Sequence, residues 1–246
     1  MKIVLHVGHG KTGTSSLQST LRINADRLAQ SGIIYPLPEK RAGHSALLAM
    51  FKPHGKRPRI YRKISADRWS NIGKEMHAQI IGASGDILVL SSEYIYMQPE
   101  YFQTQLYKYL TKISDDISVH AWIRDPVTYY RSARAQMLQA VGNDSDRMPL
   151  MPEKASLNHP RRVQRLRKVW GAQSVQLHPY NKSLMTDGNS VSDFFAKALP
   201  EAAGLYLRQV QSNLRPTDPL TDEEERIVRD ACKDDYEFLA KEGLEI

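Results

Sequence analysis

The sequence predicts an α/β protein, three layers deep, with a central parallel sheet between two layers of helices. Three observations carry that expectation. An apolar run at residues 3 to 7 stops at Gly8 and leads straight into a loop of small residues and a helical pattern. Two further apolar runs, at 86 to 93 and 118 to 123, each end in polar residues and lead into another helix. Strands that alternate with helices pair in parallel, and runs lacking apolar/polar alternation suit strands covered on both faces. The third observation is size: 246 residues, 41% of them hydrophobic, suffice for one sizeable core, so a single domain over 1–246 is expected.

The elements follow in order. After the first strand comes the loop Gly8-His9-Gly10-Lys11-Thr12-Gly13-Thr14-Ser15-Ser16, and Leu17, Leu21 and Leu28 then recur at roughly helical spacing until Gly32. Residues 36 to 66 read as irregular, with four prolines and six Lys or Arg between Lys52 and Lys63. The run at 86 to 93 is a second strand ending at Ser91-Ser92-Glu93. Pro99 opens a helix whose Phe102, Leu106, Leu110 and Ile113 share one face, and Pro126 opens another that reaches about Gly142. Residues 143 to 160 read as a long loop. A basic helix is expected at 163 to 170, a short strand at 174 to 177, and a helix at 191 to 199. Thr221 and Glu224 form a Thr-x-x-Glu capping pattern that starts a last helix running to Gly243.

Composition excludes several classes. Twenty-five per cent charged residues and no low-complexity tract rule out collagenous and disordered chains. No apolar run approaches the ~20 residues that span a bilayer, and the first residues lack a signal-peptide pattern. The only cysteine, Cys232, excludes an intrachain disulfide and a multi-cysteine metal site. A cytoplasmic protein is expected. The net charge of +7 favours anionic partners, without naming one.

The first candidate site is the loop after the first strand. Gly8 and Gly13 have the spacing of a nucleoside-triphosphate loop, but Thr14-Ser15 stands where Lys-Ser/Thr is required, and the lysine is Lys11, inside the loop. Glycines, inward-pointing amides and a helix N-terminus still suit an anion. Lys11-Thr12-Gly13-Thr14-Ser15 resembles the 5′-phosphosulfate-binding loop of sulfotransferases that use 3′-phosphoadenosine 5′-phosphosulfate (PAPS). The second candidate site begins at Arg124, where a strand ends. Ser132 follows eight residues later, ~9 Å along the helix from Pro126, so a phosphate touching both would lie on that helix flank. The segment from Arg124 to Ser132 resembles the 3′-phosphate-binding segment of the same family.

The two matches, in order, make the resemblance strong over about residues 3 to 135. It implies a P-loop-like α/β fold and sulfuryl transfer from PAPS to an acceptor hydroxyl or amine. It also implies that Gly10, Lys11, Thr12, Gly13, Thr14, Ser15 and Ser16 hold the 5′-phosphosulfate and that Arg124 and Ser132 hold the 3′-phosphate. No metal is expected, because Ser91 and Ser92 stand between the apolar run and Glu93, where the magnesium-binding strand of an ATPase has its acidic residue directly after the run. Gln211-Ser212-Asn213-Leu214-Arg215 is a candidate late cofactor-side loop.

Such a transfer needs charge stabilisation and a base for the acceptor proton. Lys11 is placed to stabilise the leaving oxygen. Glu93, beyond a strand end, is the leading candidate base, as in glycan and protein-tyrosine sulfotransferases; His44 is the alternative, as in the cytosolic small-molecule type. His6 and His120 lie within apolar strands and read as core histidines. The basic stretches at 52 to 63 and 161 to 168 read as solvated faces or as a hold on an anionic acceptor such as an acidic oligosaccharide, with Tyr61, Trp69 and Trp170 near them. Nothing resembles a nucleic-acid-reading module. Two other functions compete: an ATP-dependent small-molecule kinase, and a non-catalytic module that binds anionic glycan.

Overall fold

The structure is a computed structural model that describes residues 1–37, 43–58, 61–141, 151–210 and 217–246. Its centre is a five-stranded sheet in the order β2-β3-β1-β4-β5, formed by β1 (Lys2–His6), β2 (Ile33–Ile34), β3 (Ile87–Ser91), β4 (Ile117–Ile123) and β5 (Val175–Pro179). Every pairing is parallel, and the register sets His6 beside both Ser91 and His120. Being central, β1 has neighbours on both sides and is buried on both faces. Ile3, Leu5, Leu88, Leu90, Val119 and Ala121 point to one face, while Val4, Val89 and Trp122 point to the other.

The first face is covered by α3 (Leu47–Phe51), α4 (Ala66–Ile81), α5 (Glu100–Leu110), α7 (His159–Trp170) and α10 (Lys233–Lys241). The second is covered by α1 (Thr14–Ile23), α2 (Ala25–Gln30) and α8 (Ser190–Ala198), through Leu17, Leu21, Leu28, Val191 and Phe194. A smaller apolar cluster joins α6 (Pro126–Val141) to α9 (Asp222–Ala231) through Val127, Tyr130, Val228 and Cys232. The three-layer parallel architecture that the sequence predicts is therefore the one observed.

Several elements differ from expectation, each for a local reason. The helix expected to run from Leu17 to Gly32 is two helices. Asn24 sits between them, its amide bonded to Thr20 O and, across the chain, to Arg208 O, while Arg208 N donates back to its Oδ1. A side chain that competes for backbone partners in this way interrupts a helix. The last expected helix is likewise divided, at Cys232. Here α9 buries Val228 against α6 while α10 buries Leu239 in the main core, and one straight rod does not reach both.

The expected elements omit α4, whose Ser65 cap accepts from Arg68 N at 3.2 Å and whose Trp69, Ile72, Met76 and Ile80 form a buried stripe. They omit the edge strand β2 as well. Within 36 to 66, the described residues hold α3 and a 3₁₀ turn at His54–Lys56, and Arg59 lies outside the described residues. Of the long loop expected at 143 to 160, residues 143–150 also lie outside them, and α7 already begins at His159. The capping pattern at Thr221 forms in both directions, with Glu224 N donating to Thr221 Oγ1 and Thr221 N donating to Glu224 Oε2.

Candidate functional site

The loop from β1 to α1 is shaped by its smallest residues. Gly13 is the N-cap of α1 at φ 74°, and a Cβ there would stand 2.0 Å from Ser190 Oγ. A side chain at Gly8 would meet His6 Nε2 at 2.8 Å. Both positions therefore need glycine, whereas a Cβ on Gly10 would enter open space. Lys11 also has a left-handed backbone, φ 67°, which is uncommon for a residue with a side chain. Ser16 N and Leu17 N both donate to Gly13 O, at 3.0 and 3.1 Å, and Thr12 Oγ1 donates to His9 O at 2.5 Å. The result is a tight loop whose helix N-terminus faces outward from the carboxyl end of the central strand.

A cavity of about 620 Å³ opens there. It brings together Gly10, Lys11, Gly13, Thr14, Ser15 and Ser16 with Glu93 beyond β3, Arg124 at the end of β4, and Ser132 on α6. Thr12 is buried inside the loop and is not among the lining residues. Among the described lining residues the cations are Lys11, Arg124 and Lys182, and the only carboxylate is Glu93. The cavity thus carries a positive field, concentrated by its low-dielectric walls.

Arg124 is held on three sides. Its Nη1 donates to Lys11 O at 2.7 Å, its Nε donates to Thr128 Oγ1 at 3.1 Å, and its guanidinium lies 5.3 Å from the centre of the Tyr180 ring. Lys11 Nζ donates to Gln136 Oε1 at 3.1 Å, one turn beyond Ser132 on α6. Burial raises the pKa of Glu93 above the ordinary carboxylate range, against a smaller opposing pull from Lys11.

His44 lies elsewhere. Its ring is buried, accepts at Nδ1 from Ser91 N at 3.0 Å, contacts Pro36 O through Nε2 at 2.7 Å, and packs on Tyr35 at 4.3 Å between centroids. Burial lowers its pKa to about 4. With both nitrogens engaged by backbone, this histidine ties the end of β3 to the segment after β2.

His6 and His120 are buried in the strands, as expected. His6 contacts Ser91 Oγ at 2.7 Å, and His120 Nδ1 lies 3.1 Å from His178 Nε2. Beneath the loop, His9 is fully buried against Tyr129, and neither of its ring nitrogens has a hydrogen-bond partner among the described residues.

Several lining residues escape the sequence reading: Tyr129, Gln136, Tyr180, Lys182 and the turn from Gly188 to Val191 that starts α8. The rule that ligands gather at the carboxyl ends of parallel strands points to Tyr180 and Lys182, which directly follow β5. The α8 turn has no such signal. The expected loop at 211 to 215 lies outside the described residues, although Gln209 and Val210 just before it line the cavity. Among the described residues no group of three or more His, Cys, Asp or Glu is placed to hold a metal ion, and no helix is long and apolar enough to cross a membrane.

The sheet order and the glycine-bearing loop after its central strand define a parallel α/β protein consistent with the P-loop-like fold. No family model and no curated protein matches the chain. Among solved structures it is similar to a sulfotransferase from Alicyclobacillus acidocaldarius, at 16% identity over 73% of this chain and 74% of that one, with a TM-score of 0.42. At that distance the likeness carries no functional argument.

Proposed function

We propose that this chain is a sulfotransferase that moves a sulfuryl group from PAPS to a hydroxyl or amine, on a carbohydrate or another hydroxylated metabolite. The observation that carries the reading is one cavity lined, among the described residues, by a lysine-bearing loop, an arginine and serine from the neighbouring β4–α6 unit, and a single carboxylate. A nucleotide with phosphate at both ends of its ribose needs two separate anion sites, and the cavity offers two: the loop with the α1 N-terminus, and Arg124 with Ser132.

The cosubstrate supplies an activated sulfuryl group whose S–O bond to phosphate breaks as the bond to the acceptor oxygen or nitrogen forms. Within this reading, loop amides with Thr14, Ser15 and Ser16 hold the 5′ end, and the Lys11 ammonium balances charge developing on the leaving oxygen. Glu93 takes the acceptor proton. Burial raises its pKa, against a smaller pull from Lys11, which makes its carboxylate a stronger base than that of an exposed glutamate. His44 supports β3 rather than meeting the acceptor. No metal is required, because cationic side chains meet the charge. The buried free thiol of Cys232 suits the reducing, cytoplasmic setting that belongs to the same reading.

Calorimetric titration without magnesium tests the reading. 3′,5′-Adenosine bisphosphate should bind at least ~10-fold more tightly than 5′-AMP or ATP, since one charge-assisted phosphate contact contributes ~1.5–3 kcal/mol. Tighter binding of ATP with magnesium would replace the reading with a kinase. Glycan binding that survives Lys11→Ala and ignores PAPS would replace it with a non-catalytic module.

A further inference from the structure

Arg124 is bonded to the phosphate loop itself, not merely adjacent to it. Of its donors, Nη1 meets Lys11 O at 2.7 Å and Nε meets Thr128 Oγ1 at 3.1 Å. The Tyr180 ring lies against the guanidinium, and its edge stands 3.6 Å from where a Gly13 Cβ would be. Tyr180 is fixed in turn by its backbone, whose N–H donates to Ile123 O at 2.7 Å, one residue before Arg124. Thr128 is fixed at the first turn of α6, where its N–H donates to Asp125 Oδ1 at 2.8 Å. The carbonyl that Arg124 grips belongs to the one non-glycine loop residue with a left-handed backbone. A conformation of that kind persists only where its surroundings over-determine it.

We propose that Arg124, seated on Thr128 and Tyr180, is a positioning residue for the phosphate loop: by holding the Lys11 carbonyl it sets the left-handed turn that aims the Lys11 side chain and the loop amides at the 5′ group. The proposal deepens the sulfotransferase reading, in which Arg124 meets only the 3′-phosphate, and its nucleotide arm rests on that reading. One residue then couples the two anion sites, so that losing it harms the 5′ site even for a ligand with no 3′-phosphate.

Two measurements on Arg124→Ala and Thr128→Val test it. The first needs no nucleotide: hydrogen exchange at the Ser16 and Leu17 amides, which bond Gly13 O, with β3 as an internal control. Exchange there should rise ~10-fold or more in Arg124→Ala and several-fold in Thr128→Val, with β3 unchanged. Unchanged exchange at both amides overturns the proposal.

The second compares 5′-AMP with 3′,5′-adenosine bisphosphate. The proposal expects Arg124→Ala to weaken 5′-AMP ~5-fold or more, in addition to erasing the preference for the bisphosphate. If 5′-AMP binds both proteins equally and only the preference is lost, the coupling is refuted and the sulfotransferase reading stands. If the unsubstituted protein shows no preference while loop exchange still rises, the coupling stands and that reading falls. Thr128→Val keeps the test usable should Arg124→Ala fail to fold, because it leaves the guanidinium in place and removes one of its supports.

Discussion

The most basic stretch of the chain and the cavity at the end of β1 differ in where their positive charge lies, although in both the cations also bond to neighbours. On α7, Arg167 makes a two-pronged pair with Glu242 at 2.7 and 2.6 Å, Lys168 meets Glu100 at 2.6 Å, Arg165 donates to Gln98 O at 2.5 Å, and Arg162 lies over the Tyr96 ring. In the other basic stretch, Arg57 spends its guanidinium on the carbonyls of His54, Tyr61 and Arg62. These cations fasten α7 and the 3₁₀ turn to their neighbours. Among the described residues lining the cavity, three cations and one partly buried carboxylate surround a space of about 620 Å³. The lesson is that local charge density in a sequence does not tell which cations come to line a cavity, whereas position at the carboxyl end of a parallel strand does for Arg124.

The comparison can be broken most decisively at Glu93. Glu93→Gln should lower kcat for sulfuryl transfer by ~10²–10⁴ while bisphosphate binding persists, read by steady-state kinetics beside calorimetry. If the ionised carboxylate is the base, as proposed, then because burial raises its pKa the acid limb of the kcat profile should lie above that of an exposed glutamate and vanish in the variant. The sign for stability is opposite. Folded Glu93 holds its proton more tightly than the unfolded chain does, so ionising it at neutral pH costs stability. Glu93→Gln should therefore melt higher than the parent at pH 7, with the gap closing as pH falls through the folded pKa to the unfolded one.

Next in size is Lys11→Ala, expected to lower kcat by ~10²–10³ with little change in melting temperature. Retained turnover would move the leaving-group role to Lys182. Gly13→Ala tests whether the cavity depends on backbone shape as much as on charge. Placing a Cβ in a left-handed site costs ~1–2 kcal/mol, and the overlap with Ser190 Oγ adds to that. A fall of ~4–8 °C in melting temperature together with lost bisphosphate binding is expected, at ~2–4 °C per kcal/mol for a chain of this size.

The smallest effect sharpens the contrast from the other side. Arg167→Ala on α7 should cost ~1 kcal/mol or less, a few degrees by thermal melting, and leave kcat unchanged. A large loss of turnover would mean that α7 serves the acceptor after all.

Legibility differed by feature. Strands β1, β3 and β4 and the loop after β1 were readable because those strands are continuous apolar runs ending in polar residues, and because glycine spacing around Lys11 is a local property. Less readable was α4, since its stripe of Trp69, Ile72, Met76 and Ile80 follows a stretch of prolines and cations that hides the change of period. The breaks at Asn24 and Cys232 were invisible for another reason: each depends on a distant partner, Arg208 in one case and two separate apolar clusters in the other. At the site, Glu93 and His44 were comparable candidates by residue type. Only packing separates them, putting the glutamate on the cavity wall and both nitrogens of the histidine against backbone.

By itself, then, the sequence determined the fold class, the loop between β1 and α1, and the placing of Ser132 on the helix that follows Arg124. These follow from periodicity, glycine placement and helical rise, which act over a few residues. Tertiary structure alone decided which cations line the cavity, which of two candidate bases lies on its wall, and that Arg124 grips the loop through Lys11 O, 113 positions away in the chain. Those outcomes depend on contacts between segments far apart in sequence, and such contacts exist only after the sheet has set its strands side by side.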